Sequence, residues 1–217
     1  MRARAVLLKL ILFMLVALAG CAGSHKQSLV PPQTVEMDAH ALKKFQGEVE
    51  EYVELRKKVL AEIPAVTDQS TAEEVAAHQR ALTSAIIASR EEEKQGEIFE
   101  PEVEAALRRT LLGEFSGPDG PALIRAIEQS DPELDSDPAP ENPTKEVTGQ
   151  VTVAVNAVYN DAAQFSSVPP SLLLKLPLLP EVVRYQFVGR ALILRDTEAN
   201  VIIDFIQDVV PDPSIPR

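Results

Sequence analysis

Residues 183–205 read VRYQFVGRALILRDTEANVIIDF, and this stretch decides the fold class. Three short segments rich in Val, Ile, Leu, Tyr and Phe are separated by two turn signals, Gly189 and the polar residues 197–200. β-branched and aromatic segments bounded by such signals are typical of strands joined by tight turns. The stretch therefore predicts a small antiparallel β-meander.

The first half of the chain has the helical period instead. Apolar side chains recur at spacings of three and four over residues 45–63, and Pro64 is expected to end that helix. Thr71 and Glu74 have the spacing of a capping box that begins a second helix, and Gly96 is expected to close it. A connection of about seven residues favours an antiparallel helical hairpin.

One or two further helices follow the hairpin. Pro101 stands at a favoured first helical position, and Gly117 with Pro118 ends that helix. The apolar residues between 123 and 127 predict a short fourth helix. We therefore expect residues 38–130 to form a helical region.

The chain changes character after this region. Residues 131–146, DPELDSDPAPENPTKE, are interpreted as an acidic, proline-rich linker. Val alternates with other residues over 151–155 and predicts one more strand, so residues 147–208 are expected to be β-rich and residues 209–217 to be a loose tail. The predicted fold class is α+β: a helical hairpin plus one or two further helices, the acidic linker and a small C-terminal antiparallel β-meander.

The N-terminus, MRARAVLLKLILFMLVALAGC, has the features of a secretion signal over residues 1–20. Arg2 and Arg4 precede an apolar run that is shorter than the roughly 20 residues a membrane span requires. The run ends in Leu18-Ala19-Gly20-Cys21, which resembles the lipobox of bacterial lipoproteins. The resemblance implies cleavage between Gly20 and Cys21, and fatty acyl chains such as palmitate on Cys21.

The alternatives are a plain membrane anchor or an ordinary signal peptide with an incidental cysteine. The lipoprotein interpretation is favoured because the chain has one cysteine and it stands where the lipobox requires it. Residues 21–37 then form a flexible tether to the membrane. Ala22 follows the cysteine in place of the Asp that marks inner-membrane lipoproteins. The resemblance therefore favours the periplasmic leaflet of the outer membrane over the inner membrane.

Two further resemblances concern the mature chain. Residues 44–208, above all KQGEIFEPEV at 94–103, are similar to an uncharacterised family of secreted bacterial proteins, which implies no activity. Residues 185–206 are similar to the C-terminal β-hairpin of periplasmic nickel/cobalt-homeostasis proteins. The histidine-rich stretches of that group are missing here, so its metal role is not carried over.

The charge balance argues against nucleic acid as a partner. The chain has 21 Lys and Arg against 33 Asp and Glu, a formal net charge of −12, and removal of the signal with its basic residues makes it more negative. Binding to phosphate backbones depends on Lys and Arg that displace counterions.

The sequence suggests no catalytic, cofactor or metal residues. His25, His40 and His78 are not spaced as ligands on one helix face, and His78 is interpreted as a histidine at the edge of the core. The acidic residues 131–137 lack the Gly and Glu of a calcium loop, and the Glu run at 91–93 is interpreted as a solvated surface. A hydrolase of unrecognised type would need a pocket in which an acid and His78 converge.

The segment at 168–180, VPPSLLLKLPLLP, is called the leucine segment here. It predicts a short helix between prolines. Leu172, Leu173, Leu176 and Leu179 are a candidate apolar binding patch. The alternative, which we favour, is that these leucines cover an open face of the small sheet.

Together these features favour a membrane-anchored periplasmic lipoprotein that acts as a non-enzymatic interaction or scaffold module of the cell envelope. Its expected partners are the membrane, through the N-terminal lipid, and an envelope protein. The alternative is a module that binds an apolar or lipid ligand through residues 172–179 and the sheet face. A hydrolase is the least favoured hypothesis.

Overall fold

Five helices and a three-stranded sheet make up most of the computed structural model, which describes residues 39–129, 152–159 and 168–212. The lipobox, the tether and the acidic linker lie outside the described residues. The described helices are α1 (Ala39–Ala61), α2 (Ala72–Ser89), α3 (Pro101–Ser116), α4 (Gly120–Gln129) and the one-turn α5 (Pro170–Leu173). The strands are β1 (Val183–Val188), β2 (Ala191–Asp196) and β3 (Val201–Ile206).

Most of the predicted helix start and stop signals coincide with helix ends in the structure. α1 ends just before Pro64, and α3 begins at Pro101 and has Gly117 as its C-cap. At the start of α2 the Thr71 hydroxyl accepts from the Glu74 N–H at 3.2 Å, and the Glu74 carboxylate accepts from the Thr71 N–H at 2.7 Å. The predicted capping box is confirmed.

The predicted end of α2 at Gly96 is wrong, because the helix stops at Ser89. Arg90 leaves the helical conformation and sends its guanidinium to the carbonyl of Ile203 on β3, with Nη2 3.0 Å from the oxygen. Gly96 lies in the loop that follows, with a φ of 88° that glycine adopts without strain. Contacts with β3, which local sequence does not encode, redirect the chain here.

A glycine is also required where α4 begins. A Cβ on Gly120 would lie 1.9 Å from the carbonyl oxygen of Phe115. The chain therefore turns tightly enough at Gly117-Pro118 for Phe115 and Ile127 to reach the same core.

The sheet is the predicted antiparallel meander, in the order β1-β2-β3. Gly189 and Asn200 have positive φ angles of 54° and 56° in its two turns. The β2–β3 register shifts by one residue between Leu194 and Arg195, so Ile203 on β3 has no partner. Such a bulge re-aims the residues beside it, here Ile203 and Asp204, which contact the loop after α2.

Both faces of the sheet are buried. Every residue of β2 and β3 is buried, and Arg184 is the only exposed residue of β1. One face packs against α1–α4 and the leucine segment in the main core. The other face packs against residues 153–159 through Val188, Ile193, Ile202 and Phe205.

The strand predicted over residues 151–155 is wrong for its described part, where the chain forms a turn. Asn156 has a φ of 63°, and its side chain donates to the carbonyl of Arg90 at 2.5 Å, which bends the backbone out of strand geometry. A single bridge between Val158 and Val201 follows. The valines at 153 and 155 still pack against the sheet, so the pattern correctly indicated burial.

The α+β fold class is confirmed. The helical and β-rich regions, which the sequence separates by a linker, share one hydrophobic core that includes Phe45, Leu107, Leu172, Leu192 and Ile203. At the start of the predicted tail, Val209 and Val210 are buried, and their N–H groups donate to the carbonyl of Arg190.

Candidate functional site

One fully buried carboxylate belongs to Asp196, at the end of β2. Its Oδ2 accepts from the Tyr52 hydroxyl at 2.7 Å and from Arg56 Nε at 2.8 Å, while Oδ1 accepts from the backbone N–H groups of Glu198 and Ala199. Burial and the neighbouring carboxylate of Asp196 raise the pKa of Tyr52 well above its usual range. The bonds from Tyr52 and Arg56 join α1 to the end of β2, and the two backbone bonds hold the β2–β3 turn, so the carboxylate serves the fold.

Arg56 also binds a second carboxylate besides that of Asp196. Its Nη2 donates to Glu198, whose side chain is 45% exposed. Burial alone would lower the pKa of Arg56, but the carboxylates of Asp196 and Glu198 outweigh it and raise that pKa. The guanidinium is charged and binds two carboxylates.

A second buried carboxylate, Asp204 on β3, accepts four backbone N–H groups. Gly96 and Phe205 donate to Oδ1, and Ile98 and Phe99 donate to Oδ2, at 2.7–2.9 Å. Burial raises the pKa of Asp204, and these four donors oppose the rise. Within the stretch KQGEIFEPEV, the backbone wraps an acid more than a hundred positions later in the chain.

Arg90 links the end of α2 to β3 and also contacts α1. Its guanidinium carbon is 5.2 Å from the centre of the Tyr52 ring, and burial lowers its pKa. The buried charges thus form structural links between helices and strands.

His78 was the histidine on which a hydrolase hypothesis depended. Its Nδ1 lies 2.8 Å from the carbonyl oxygen of Pro64, so this nitrogen carries the proton, because a carbonyl can only accept. Nε2 lies 3.4 Å from a carboxylate oxygen of Glu198, and the side chain is only 8% exposed. Glu198 and His78 do lie close together. Neither of them lines the apolar groove beside β1.

Elsewhere, His40 is exposed and lies 3.9 Å from Glu102, and His25 is outside the described residues. No group of three or more His, Cys, Asp or Glu residues in the described part of the chain is placed to hold a metal ion.

A groove of about 760 Å³ opens beside β1, between the leucine segment and the β2–β3 turn. We call it the leucine groove. Its apolar lining consists of Val168, Leu173, Pro177, Leu178, Leu179, Pro180 and Val183. Its polar lining consists of Gln79, Glu181, Arg184, Tyr185, Gln186, Arg195, Thr197 and Asn200.

The structure divides the predicted leucine patch. Leu172 and Leu176 are buried in the main core, where they cover the sheet as the favoured alternative proposed. Leu173, 50% exposed, and Leu179 line the leucine groove. The spacing of the leucines could not have indicated which of them turn inward, because Leu174 and Leu178, which are exposed, have the same i, i+4 spacing as Leu172 and Leu176.

The predicted range 172–179 contains the most exposed leucine of this segment, but the four-residue patch left it out. Leu178 lines the groove and is 91% exposed. It stands between Pro177 and Leu179, and only the placement of the surrounding chain reveals its exposure. Leu174, 66% exposed, is also on the surface but does not line the groove.

The polar end of the groove contains two arginines that face each other across the strands. Arg184 on β1 is the register partner of Arg195 on β2. Arg195 stacks over the ring of Tyr159 at 4.2 Å and approaches Gln186 at 3.4 Å. Nearby, the hydroxyl of Tyr185 is buried and has no hydrogen-bond partner in the described structure, and burial raises its pKa.

Comparisons with known proteins do not assign this chain to a family. No family model matches the chain, and no curated protein and no solved structure matches it either. The resemblances in the sequence therefore stay predictions. None of the described helices combines the length and the apolar character needed to cross a membrane.

Proposed function

We propose that this chain is a lipid-anchored protein of the cell envelope whose folded body is a non-enzymatic interaction module facing the periplasm. The anchor rests on the lipobox at residues 18–21. The non-enzymatic role is supported by the use of the buried charged side chains: Asp196, Asp204, Arg56 and Arg90 bind other parts of the fold.

The observation that carries the proposal is the leucine groove. Leu178 and Leu173 expose large apolar surfaces beside a concave lining. Apolar groups clustered on a surface are a common feature of protein-binding sites, because covering them releases water. An envelope protein that inserts an apolar side chain beside Leu178 would gain this energy.

Photo-crosslinking in living cells tests the role. A photoreactive amino acid replaces Leu178, and in a control it replaces Leu112, which is 44% exposed on α3 and outside the groove. We expect a discrete crosslinked protein from position 178 and none from position 112. If position 178 gives no protein adduct, the interaction role is wrong.

The same groove supports a second candidate, the binding of a small apolar ligand. Its volume of about 760 Å³ falls in the range of roughly 300–1,000 Å³ that is typical of ligand pockets. Although eight of its lining residues are polar, most of the lining area is apolar, which is also typical of such pockets. Native mass spectrometry of the mature protein would detect a ligand that co-purifies with it.

A hydrolase is less well supported. His78 and Glu198 approach each other, but the imidazole is almost fully buried and does not line the groove in which a substrate would bind. General-base catalysis requires reach to the substrate. The variant His78→Gln tests this, because a hydrolase would lose its activity in a screen of ester and amide substrates.

A further inference from the structure

We propose that the leucine groove is a strand-addition site, in which an extended segment of the partner protein pairs with the outer edge of β1. The segment places apolar side chains against Leu173 and Leu178 and an acidic side chain beside Arg184. This inference rests on the proposed interaction role, and it adds the conformation and the chemistry of the partner.

The backbone groups of β1 point to alternate sides of the strand. The Thr197 N–H donates to the carbonyl of Val182 at 3.0 Å, just before β1 begins. In an antiparallel pair, every second residue directs its N–H and C=O at the partner strand, and the residues between direct theirs away from it. In steps of two from residue 182, the even-numbered residues of β1 therefore bond to β2. The odd-numbered residues, Val183, Tyr185 and Phe187, direct their N–H and C=O outward.

A hydrogen bond of Val183 agrees with this alternation. Its N–H donates to the carbonyl of Pro180 at 3.0 Å instead of to β2. That bond leaves the C=O of Val183 and both backbone groups of Tyr185. None of these three groups has a hydrogen-bond partner among the residues that the structure describes.

The leucine groove runs over this edge of the sheet. Four consecutive residues, 183–186, line it. Val183 and Tyr185 pack in the main core on one face of the sheet. On the other face, Gln186 donates to the hydroxyl of Tyr159 at 2.7 Å. Because neighbouring side chains of a strand point to opposite faces, a cavity that contacts both sets borders the strand's edge.

The outer edge of β3, in contrast, is already paired. Residues 156–159 form three backbone bonds of 2.7–2.9 Å with Asn200 and Ile202. An unpaired edge beside a groove is a surface on which an extended peptide adds as one more strand, and the main-chain bonds supply affinity. In the part of the chain that the structure describes, β1 offers such an edge and β3 does not.

The walls of the groove indicate which side chains the added strand has. Its side chains alternate between the two faces of the sheet. The leucine segment packs on the main-core face, where the exposed Leu173 and Leu178 match apolar side chains. Arg184 is exposed on the opposite face, where an acidic residue directly across from it forms a favourable cross-strand pair. The partner segment is therefore a strand in which apolar and acidic residues alternate.

Hydrogen exchange in β1 tests whether the edge is free. The protein is the mature chain, residues 21–217, with Cys21→Ser so that no lipid is attached. The N–H of Gln186 bonds to β2, so the N–H of Tyr185 should be protected about tenfold less or weaker still. Equal protection of the two amides in the free protein would show that the edge is already paired, and the inference would fail.

A synthetic peptide tests the pairing itself. The probe is the acetylated peptide amide Leu-Glu-Val-Glu-Leu, added up to millimolar concentration and followed by NMR of the protein. It should raise the protection of the Tyr185 N–H to that of Gln186. The same peptide methylated at the central Val nitrogen lacks a backbone donor and should bind about tenfold more weakly. A peptide with Lys in place of Glu should bind roughly fivefold more weakly.

Two matched pairs of variants locate the site. Arg184→Gln should weaken binding of the probe roughly fivefold, while Arg80→Gln, at an exposed position of α2 outside the groove, should not change it. Leu178→Ser should weaken binding about tenfold, while Leu174→Ser, which is exposed but outside the lining, should not. All four positions are exposed, so the fold should survive the changes.

Three further results would overturn the inference. These are no binding of the probe, equal binding of the methylated peptide, or a protection of Tyr185 that grows with protein concentration, which would place a second copy of the chain on the edge. If the probe fails but position 178 crosslinks to an envelope protein, strand addition is wrong and the interaction role stands. If the probe binds with the expected pattern and no protein is crosslinked, the edge binds peptides and the interaction role in the envelope fails.

Discussion

Arg56 of α1 donates to Asp196 of β2 across 140 positions of sequence, with Nε 2.8 Å from Oδ2. Both side chains are almost fully buried. The pair joins the first described helix to the sheet. A buried charge that loses its partner strongly destabilises the folded state. Substitutions at this contact should therefore be among those that lower the free energy of unfolding most.

We expect Arg56→Met to destabilise the protein by about 3–5 kcal/mol, because it leaves the carboxylate of Asp196 buried without its cation. Tyr52→Phe removes one hydrogen bond to the same carboxylate and should cost about 1.5–3 kcal/mol. Urea unfolding followed by circular dichroism measures both. Glu198→Gln is the control: its carboxylate is half exposed, so the loss should stay below about 1 kcal/mol. Equal losses for Arg56→Met and Glu198→Gln would contradict the central role of Asp196.

Asp204→Asn should loosen the loop after α2. An amide group in place of one carboxylate oxygen would point N–H bonds at two backbone donors, and each unsatisfied buried N–H costs about 1–3 kcal/mol. Hydrogen exchange should accelerate at Gly96, Ile98 and Phe99, whose N–H groups bind the acid. Asp208→Asn is the matched control, since Asp208 is exposed and has a positive φ that Asn tolerates. Unchanged exchange at Ile98 in Asp204→Asn would show that the loop does not depend on this acid.

Thr71→Ala should lower the free energy of unfolding by about 1 kcal/mol, as loss of an N-cap usually does. Thr71→Ser, which keeps a hydroxyl, should retain most of that stability. The Thr71 N–H bond holds the pKa of Glu74 below its ordinary value of 4.5. For an acid whose pKa is lowered by folding, the stabilisation is complete above the unfolded pKa and is lost as the pH falls through the folded one. The protection factors of the first-turn amides of α2, which compare observed with intrinsic exchange, should therefore fall at acidic pH in the wild type and be low at all pH values in Thr71→Ala. A first turn that is equally protected in both proteins would contradict the capping role.

Local signals predicted much of the fold. Gly189 and the polar turn at 197–200 marked the meander, and Thr71 with Glu74 marked the start of α2, because turns and caps depend on neighbouring residues. The links through Asp196 and Asp204 could not be predicted, since their donors are distant in sequence. An Asp within the apolar stretch VIIDFI was the one available signal, because a buried acid requires donors from elsewhere.

The candidate site was predicted only in part. The leucine segment was identified from composition, but its division into core and groove residues depends on where α5 packs. Arg184 and Arg195 were not singled out, because their pairing follows from the strand register. The alternation at 151–155 indicated a strand, and Asn156, which tolerates positive φ, turned the chain instead.

The anchor prediction concerns residues outside the described structure and depends on one sulfur atom. If Cys21 is the lipidated residue, cells grown with labelled palmitate should label the wild-type protein, and Cys21→Ser should carry no label, because a serine hydroxyl is a far weaker nucleophile than a thiolate. Ser24→Ala, three positions away in the tether, is the control and should be labelled like the wild type. Mass spectrometry of the wild-type N-terminus should find the chain beginning at an acylated Cys21. A Cys21→Ser protein that still carries palmitate would show that the lipid, and the location inferred from it, belong to another residue.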